Sequence, residues 1–144
     1  KEGGSVLDYF HFSEFSKWKL GDVIAGRGLS QIYRKMTGDK FTAQEICQRA
    51  DRGEPKACRA LSIFASVFGH LLSLISAFYD PEVIVGTGSM FKSRHLFLRE
   101  SLRVWRAEVP MIFRLPKLVV SKVSHGASRG AALMAIEKLK GGDG

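Results

Sequence analysis

Apolar and polar positions follow two different periods along this chain, and the change of period divides it. From Asp22 to Met36, Leu29, Ile32, Tyr33 and Met36 recur at helical spacing, which predicts a helix in two pieces broken at Gly26 and Gly28. Gly38-Asp39 predicts a turn. Thr42-Ala43-Gln44-Glu45 has the form of a capping box: the Thr42 hydroxyl accepts from the amide three residues on, and Glu45 reaches back. A helix from Ala43 to about Arg52 follows, closed by Gly53. Pro55 suits the first turn of a long helix running to about Tyr79. In it Ala57, Leu61, Phe64, Phe68, Leu71, Leu72, Ile75 and Phe78 form a wide apolar face, which predicts a place at the centre of the domain. Asp80-Pro81 stops that helix. The period then changes. Val83 to Val85 predict a short buried strand within an extended stretch over 82–87, because β-branched residues fit a packed pleat. Ser89 or Ser93 is the expected cap of a helix reaching about Arg106. Pro110 and Pro116 bracket an extended piece. Leu118 to Val123 predict a second strand, Ser124 to Ala127 a turn, and Ser128 to Leu139 a final helix. The second half therefore reads β-α-β-α, a pattern that gives parallel strands with a right-handed crossover. Residues 1–20 carry Tyr9, Phe10, Phe12, Phe15 and Trp18 without a clean period, and read as a strand fragment or loop before a short helix. Residues 140–144 read as a flexible tail.

Composition narrows this picture modestly. The 144 residues suit one domain, 1–144, able to bury a core, and a hydrophobic fraction of 45% is ordinary for one. No apolar run is expected to reach the roughly 20 residues of a membrane span. Lys1-Glu2-Gly3-Gly4-Ser5 lacks the apolar stretch of a signal peptide and an initiator Met, so the chain reads as a piece of a longer protein. Cys47 and Cys58 fall on different expected helices and form no C-x-x-C pair, which points to reduced, partly buried thiols in a cytoplasmic protein. The net charge is +8 and the pI about 9.8. Arg99, Arg103 and Arg106 share one helical face that suits nucleic acid or phosphorylated ligands by charge alone. The cations are spread along the chain, with no helix-turn-helix, zinc finger or aromatic stacking pattern. A solvated face is therefore the expectation, and nucleic acid is not an expected partner.

The chemistry-bearing signals are the glycine turns. Gly86-Thr87-Gly88 lacks the third glycine and ribose acid of a dinucleotide fingerprint, and the Gly-Lys-Ser/Thr of a Walker loop. Taken alone it reads as a strand-to-helix turn, and so does Ser124-His125-Gly126-Ala127. Together they matter more, because parallel strands align their carboxyl-end turns along one edge, where ligands bind in open α/β sheets. His125 is a candidate base with no acid partner in view. His70 reads as a satisfied core or boundary residue, and His11 and His95 carry no context. Glu2-Gly3-Gly4 is a carboxylate beside a mobile glycine pair.

In this order and spacing, the segments resemble the C-terminal half of a bacterial-type glucokinase of the ROK (repressor, open reading frame, kinase) group. Glu2-Gly3-Gly4 resembles the family's Glu-Gly-Gly-His sugar segment. Asp22 to Leu29 with Ile32-Tyr33, then Thr42-Ala43 with Glu45-Ile46 and Ala50-x-x-Gly53, are similar to its following blocks. Asp80 to Gly88 looks like its adenosine-side strand and turn, and Gly130-Ala131-Ala132 like its terminal helix. The resemblance implies an α/β, actin-like ATPase (ribonuclease H-like) lobe, with a mixed or parallel sheet flanked by helices around a long central helix. It implies an ATP-dependent hexose kinase acting on a sugar such as glucose with Mg2+, forming a homodimer. It places substrate contacts at Glu2, Gly4 and Ser5, and nucleotide contacts at Gly86, Thr87, Gly88, Gly126 and Ala127. The family's catalytic aspartate and first phosphate loop lie in its other half, so no catalytic residue is expected here and the isolated chain is expected to be inactive. The chain departs from the pattern in three places. Ser5 stands where the family has histidine, Gly21 where it has a second sugar glutamate, and Thr87 where it often has glycine. The family's cysteine-rich zinc loop is missing, so no metal ligand is expected. The changes at Ser5 and Gly21 favour the alternative of a non-catalytic sugar- or nucleotide-sensing domain of the same group.

Overall fold

The computed structural model describes residues 26–109 and 114–121, together with Gly130 and Leu133, both in helical backbone. Three helices come first: α1 (Gly26–Thr37), α2 (Ala43–Asp51) and α3 (Pro55–Tyr79). β1 (Val83–Gly86), a 3-10 segment (Ser89–Leu96), α4 (Leu98–Glu108) and β2 (Lys117–Val120) follow. The expected elements over residues 1–25, the second glycine turn, the remainder of the final helix and the tail at 140–144 lie outside the described residues.

The α1 stripe forms as its spacing predicts, with Leu29, Ile32 and Tyr33 buried, but Met36 emerges at 37% exposure. Gly26 and Gly28 do not break this helix; both lie inside its first turn. A Cβ on Gly26 would meet the Ala43 Cβ at 3.4 Å, an ordinary contact, and at the first helical position glycine escapes the roughly 1 kcal/mol that it costs in a helix interior. The capping box of α2 is complete: the Glu45 amide donates to Thr42 Oγ1 at 3.3 Å, and the Thr42 amide donates to Glu45 Oε2 at 2.8 Å. These bonds, the backbone one foremost, hold the Glu45 carboxyl below the usual range.

Glu54 stands at the N-cap of α3, but its carboxylate serves neighbouring helices instead of its own amides. Tyr33 Oη donates to Glu54 Oε1 at 2.7 Å, and Arg49 Nη1 donates to Oε2 at 2.8 Å. The same guanidinium lies 3.8 Å above the Phe41 ring centre, which Tyr33 meets edge-on. The Tyr33 hydroxyl, then Arg49, hold the Glu54 carboxyl below its ordinary value, while the Tyr33 hydroxyl is pushed up chiefly by Glu54 and then by burial. A carboxyl depressed in the folded state stabilises fully above its unfolded pKa, and that contribution is lost as pH falls through the folded value. Glu54→Gln should therefore flatten the acid limb of stability. Urea unfolding from neutral pH down to about 3 checks this, and an unchanged acid limb in the variant would refute it.

By length and composition alone, α3 is apolar enough to cross a membrane, which corrects the expectation that no run reaches that length. In this fold it is the central helix. Ala57, Ala60, Leu61, Phe64, Val67 and Leu72 are buried in the core, although Phe78, assigned to the same face, is 58% exposed. α4 crosses α3 at Gly69, where a Cβ would sit 2.7 Å from the Ser101 carbonyl oxygen and 2.7 Å from the Val104 Cβ. Beside the crossing, Trp105 Nε1 donates to Ser76 Oγ at 3.0 Å, and Ser76 in turn donates to the Leu72 carbonyl at 2.8 Å. His70 is a satisfied boundary residue, as expected, paired with Glu108 of α4. Cys47 is buried and Cys58 exposed, both as free thiols.

The helix after β1 does not start at Ser89 or Ser93. A 3-10 segment kinked at Ser93 intervenes, and α4 begins after Phe97 with no side-chain cap. Packing explains the difference: Phe97 meets Phe64 at 5.2 Å, Phe68 at 5.9 Å and Phe91 at 6.1 Å between ring centres. Such burial outweighs a cap worth about 1 kcal/mol.

β1 and β2 are parallel, in register from Val83 opposite Lys117 to Gly86 opposite Val120. β1 is not buried as expected, and β2 is likewise half open. Val83 and Val85 are 48% and 62% exposed, whereas Gly86 on the alternate face is buried and Ile84, Leu118 and Val120 are half-buried. β-branching suits the pleat but does not supply a covering layer. Among the described residues the sheet has two strands, and its Val83–Val85–Val119 face is open.

Candidate functional site

Parallel pairing fixes where the glycine turn lies. The Ser121 amide donates to the Gly86 carbonyl at 2.9 Å, so β2 ends beside the turn that closes β1. Both carboxyl ends thus share one edge, the position at which open α/β sheets bind ligands. The Phe91 ring occupies the space where a Gly86 Cβ would stand, with Cε1 only 2.8 Å from that point. Phe68 and Phe97 hold the ring from behind. Gly86 is therefore the only residue type that lets β1 settle on this aromatic wedge.

Thr87 is exposed. Gly88 adopts φ 110° and ψ 171°, a region essentially restricted to glycine. Among the described residues, a Cβ on Gly88 would find no heavy atom within 4 Å, so its backbone is open on that side. The Phe91 amide donates to the Gly88 carbonyl at 3.2 Å and closes the turn. The result is a backbone surface without side-chain cover, anchored at both ends, which a planar group can approach closely. No three His, Cys, Asp or Glu side chains converge to hold a metal ion among the described residues.

The structure thus gathers Gly86, Thr87 and Gly88 into one turn. The other expected contacts, Glu2, Gly4, Ser5, Gly126 and Ala127, lie outside the described residues, as does His125. Sequence reasoning missed the Phe91 wedge; its signal was an aromatic five residues after a strand-ending glycine. It also grouped three arginines that α4 separates. Arg103 is bound by Glu100 through Nε at 2.9 Å and Nη2 at 2.7 Å, while Arg99 and Arg106, seven residues apart, line a groove. The Glu100 carboxyl is held low by that arginine.

A family model described as "ROK family" matches residues 20–138. An N-acetyl-D-glucosamine kinase from Pasteurella multocida is 31% identical over 127 residues, covering 83% of this chain and 39% of the relative. Its counterpart from Haemophilus influenzae is 29% identical over 123 residues, with the same coverage of each chain. The crystal structure of a ROK hexokinase from Thermus thermophilus superposes with a TM-score of 0.71 at 25% identity, covering 96% of this chain and 47% of that one. The chain therefore spans about two fifths of the length of the curated relatives it matches.

Proposed function

Because the chain belongs to the ROK family, we propose that it forms the adenosine-side lobe of an ATP-dependent sugar kinase. The observation that carries this reading is the Gly86-Thr87-Gly88 turn: it lies at the carboxyl edge of a parallel pair and presents bare backbone at Gly88. When bound, MgATP supplies the transferable phosphoryl group. This chain's residues hold and orient its nucleoside, Gly88 by close backbone approach and Thr87 by an exposed hydroxyl. Glu2 is proposed to accept hydrogen bonds from sugar hydroxyls. Transfer needs a base to take the hydroxyl proton and charges to neutralise the phosphates. On the family resemblance these groups belong to the other half, so the 144-residue chain should bind nucleotide without turning over sugar. The curated relatives reported above are N-acetyl-D-glucosamine kinases, which favours an N-acetylated hexosamine over glucose as the sugar.

Calorimetry of the chain with MgATP tests the nucleotide side. Wild type should bind, and Gly88→Ala should weaken binding about tenfold or more, since its methyl intrudes on the approach and strains a backbone state costing roughly 1–3 kcal/mol. Absence of any heat with wild type, under conditions where it is folded, would defeat the reading. A coupled assay on a longer protein carrying this lobe should give a higher kcat/KM for N-acetylglucosamine than for glucose. The reverse order would restore glucose as the substrate.

A further inference from the structure

Beyond that turn, the 3-10 segment and α4 enclose a second concavity. We propose that this groove is a binding site for a small ligand carrying two or more phosphate groups. Its volume is about 520 Å³, within the range of small-molecule sites. Lys92, Arg94 and His95 line it from the 3-10 segment, and Arg99 and Arg106 from α4. Leu98 and Leu102 complete the described lining, and among those residues none is acidic.

The state of those charges carries the argument. Among the described residues, ion pairs engage Arg49, His70, His95 and Arg103, and none engages Lys92, Arg94, Arg99 or Arg106. The contrast with Arg103, one position round the same helix and fully bonded to Glu100, shows that α4 can satisfy an arginine where its sequence provides an acid. Of the groove cations, Arg94 donates to the Phe91 carbonyl at 3.3 Å and Arg99 helps to hold the Glu100 carboxyl low, but neither forms an ion pair. Asp51, the last residue of α2, is the carboxylate that reaches the rim, where it pairs with His95 Nε2 at 2.9 Å, and it is ion-paired to none of the α4 arginines. Four cations without an ion pair around one concavity repel each other and raise the local concentration of anions. Arg99 and Arg106 stand two helical turns apart, about 10 Å along the axis, a spacing that two or three linked phosphates span with both side chains extended toward them. The cations converge on one concavity with an apolar side instead of forming an extended track, which favours a compact ligand over a nucleic acid strand. No residue of the 86–88 turn lines the groove, so this site stands independently of the nucleotide reading.

Inorganic tripolyphosphate is the probe, because it carries the phosphates without a nucleoside. Titrated into the 144-residue chain, it should bind saturably and more tightly than orthophosphate. The pair Arg99→Gln with Arg106→Gln should lose about tenfold or more in affinity at an unchanged melting temperature. The pair Arg34→Gln with Arg52→Gln removes the same charge elsewhere and should lose no more than about twofold, a change expected from net charge alone. Equal losses in both pairs would reduce the effect to general electrostatics and overturn the site. A single-stranded oligonucleotide binding more tightly than tripolyphosphate, with the same sensitivity to Arg99 and Arg106, would overturn the small ligand in favour of nucleic acid. Amide shifts on wild type provide the check that needs no variant. Perturbation centred on residues 92–106 supports the groove, and perturbation centred on 86–88 with 92–106 silent refutes it.

Discussion

Phe97→Ala is expected to remove about 3–5 kcal/mol of stability, the range for deleting a buried aromatic, and thus a large share of what a domain this size has. Phe97 is 2% exposed and forms ring contacts with Phe64, Phe68 and Phe91. Few neighbours can collapse into the space, since Phe64 and Phe68 are fixed on one face of α3 and stacked with parallel rings. The damage should extend to the glycine turn, because Phe97 backs the Phe91 ring on which Gly86 rests. Urea unfolding gives the first readout, and hydrogen exchange at residues 86–91 gives the second. A loss below about 1 kcal/mol would mean that the aromatic cluster is not what anchors the turn.

Gly69→Val should destabilise by about 3 kcal/mol, at the upper end for overpacking. The reason is local and unusually rigid. The nearest obstacle to a Cβ is the Ser101 backbone carbonyl at 2.7 Å, which cannot rotate away, and the Val104 Cβ at 2.7 Å is itself fixed to the α4 backbone. Helix propensity argues the other way, since glycine in a helix interior costs about 1 kcal/mol relative to alanine. Gly69→Ala therefore decides between the two effects. A lower melting temperature means that close approach of α3 and α4 governs this position, and a higher one means that the helices separate at little cost. The Trp105–Ser76 hydrogen bond beside the crossing should weaken together with it.

The helices were legible because their signals are local. Thr42 and Glu45 close a capping box within four residues, and Leu29, Ile32 and Tyr33 define a face by spacing alone. What the sequence could not reveal depends on layers that meet from far apart. Gly26 and Gly28 look like helix breakers in mid-pattern, yet both fall in the first turn of α1. Val83 and Val85 look buried, but a strand's own residues do not say what covers it. Ser89 and Ser93 look like caps, yet three aromatic rings decide where α4 starts. The chain folds as a lobe of the actin-like ATPase type, and that assignment rested on the order of whole segments, not on any single one. At the site, Gly86 to Gly88 were found from their glycines. The wedge under Gly86 and the sorting of Arg99 and Arg106 from Arg103 required the structure.

The register of β1 with β2 also bears on the order of assembly. α1, α2 and α3 are consecutive and bury their faces against near neighbours in sequence, whereas Val83 must find Lys117, about thirty-four positions later. Closing so long a segment costs entropy before its four residue pairs return anything, so the strand pair should form after the helices and reopen before them. The turn that crowns β1 would then be the last part of the lobe to form and the first to fray. A ligand seated there would slow that opening far more than it would slow the opening of α3, because the core helix gains nothing from closing the strands.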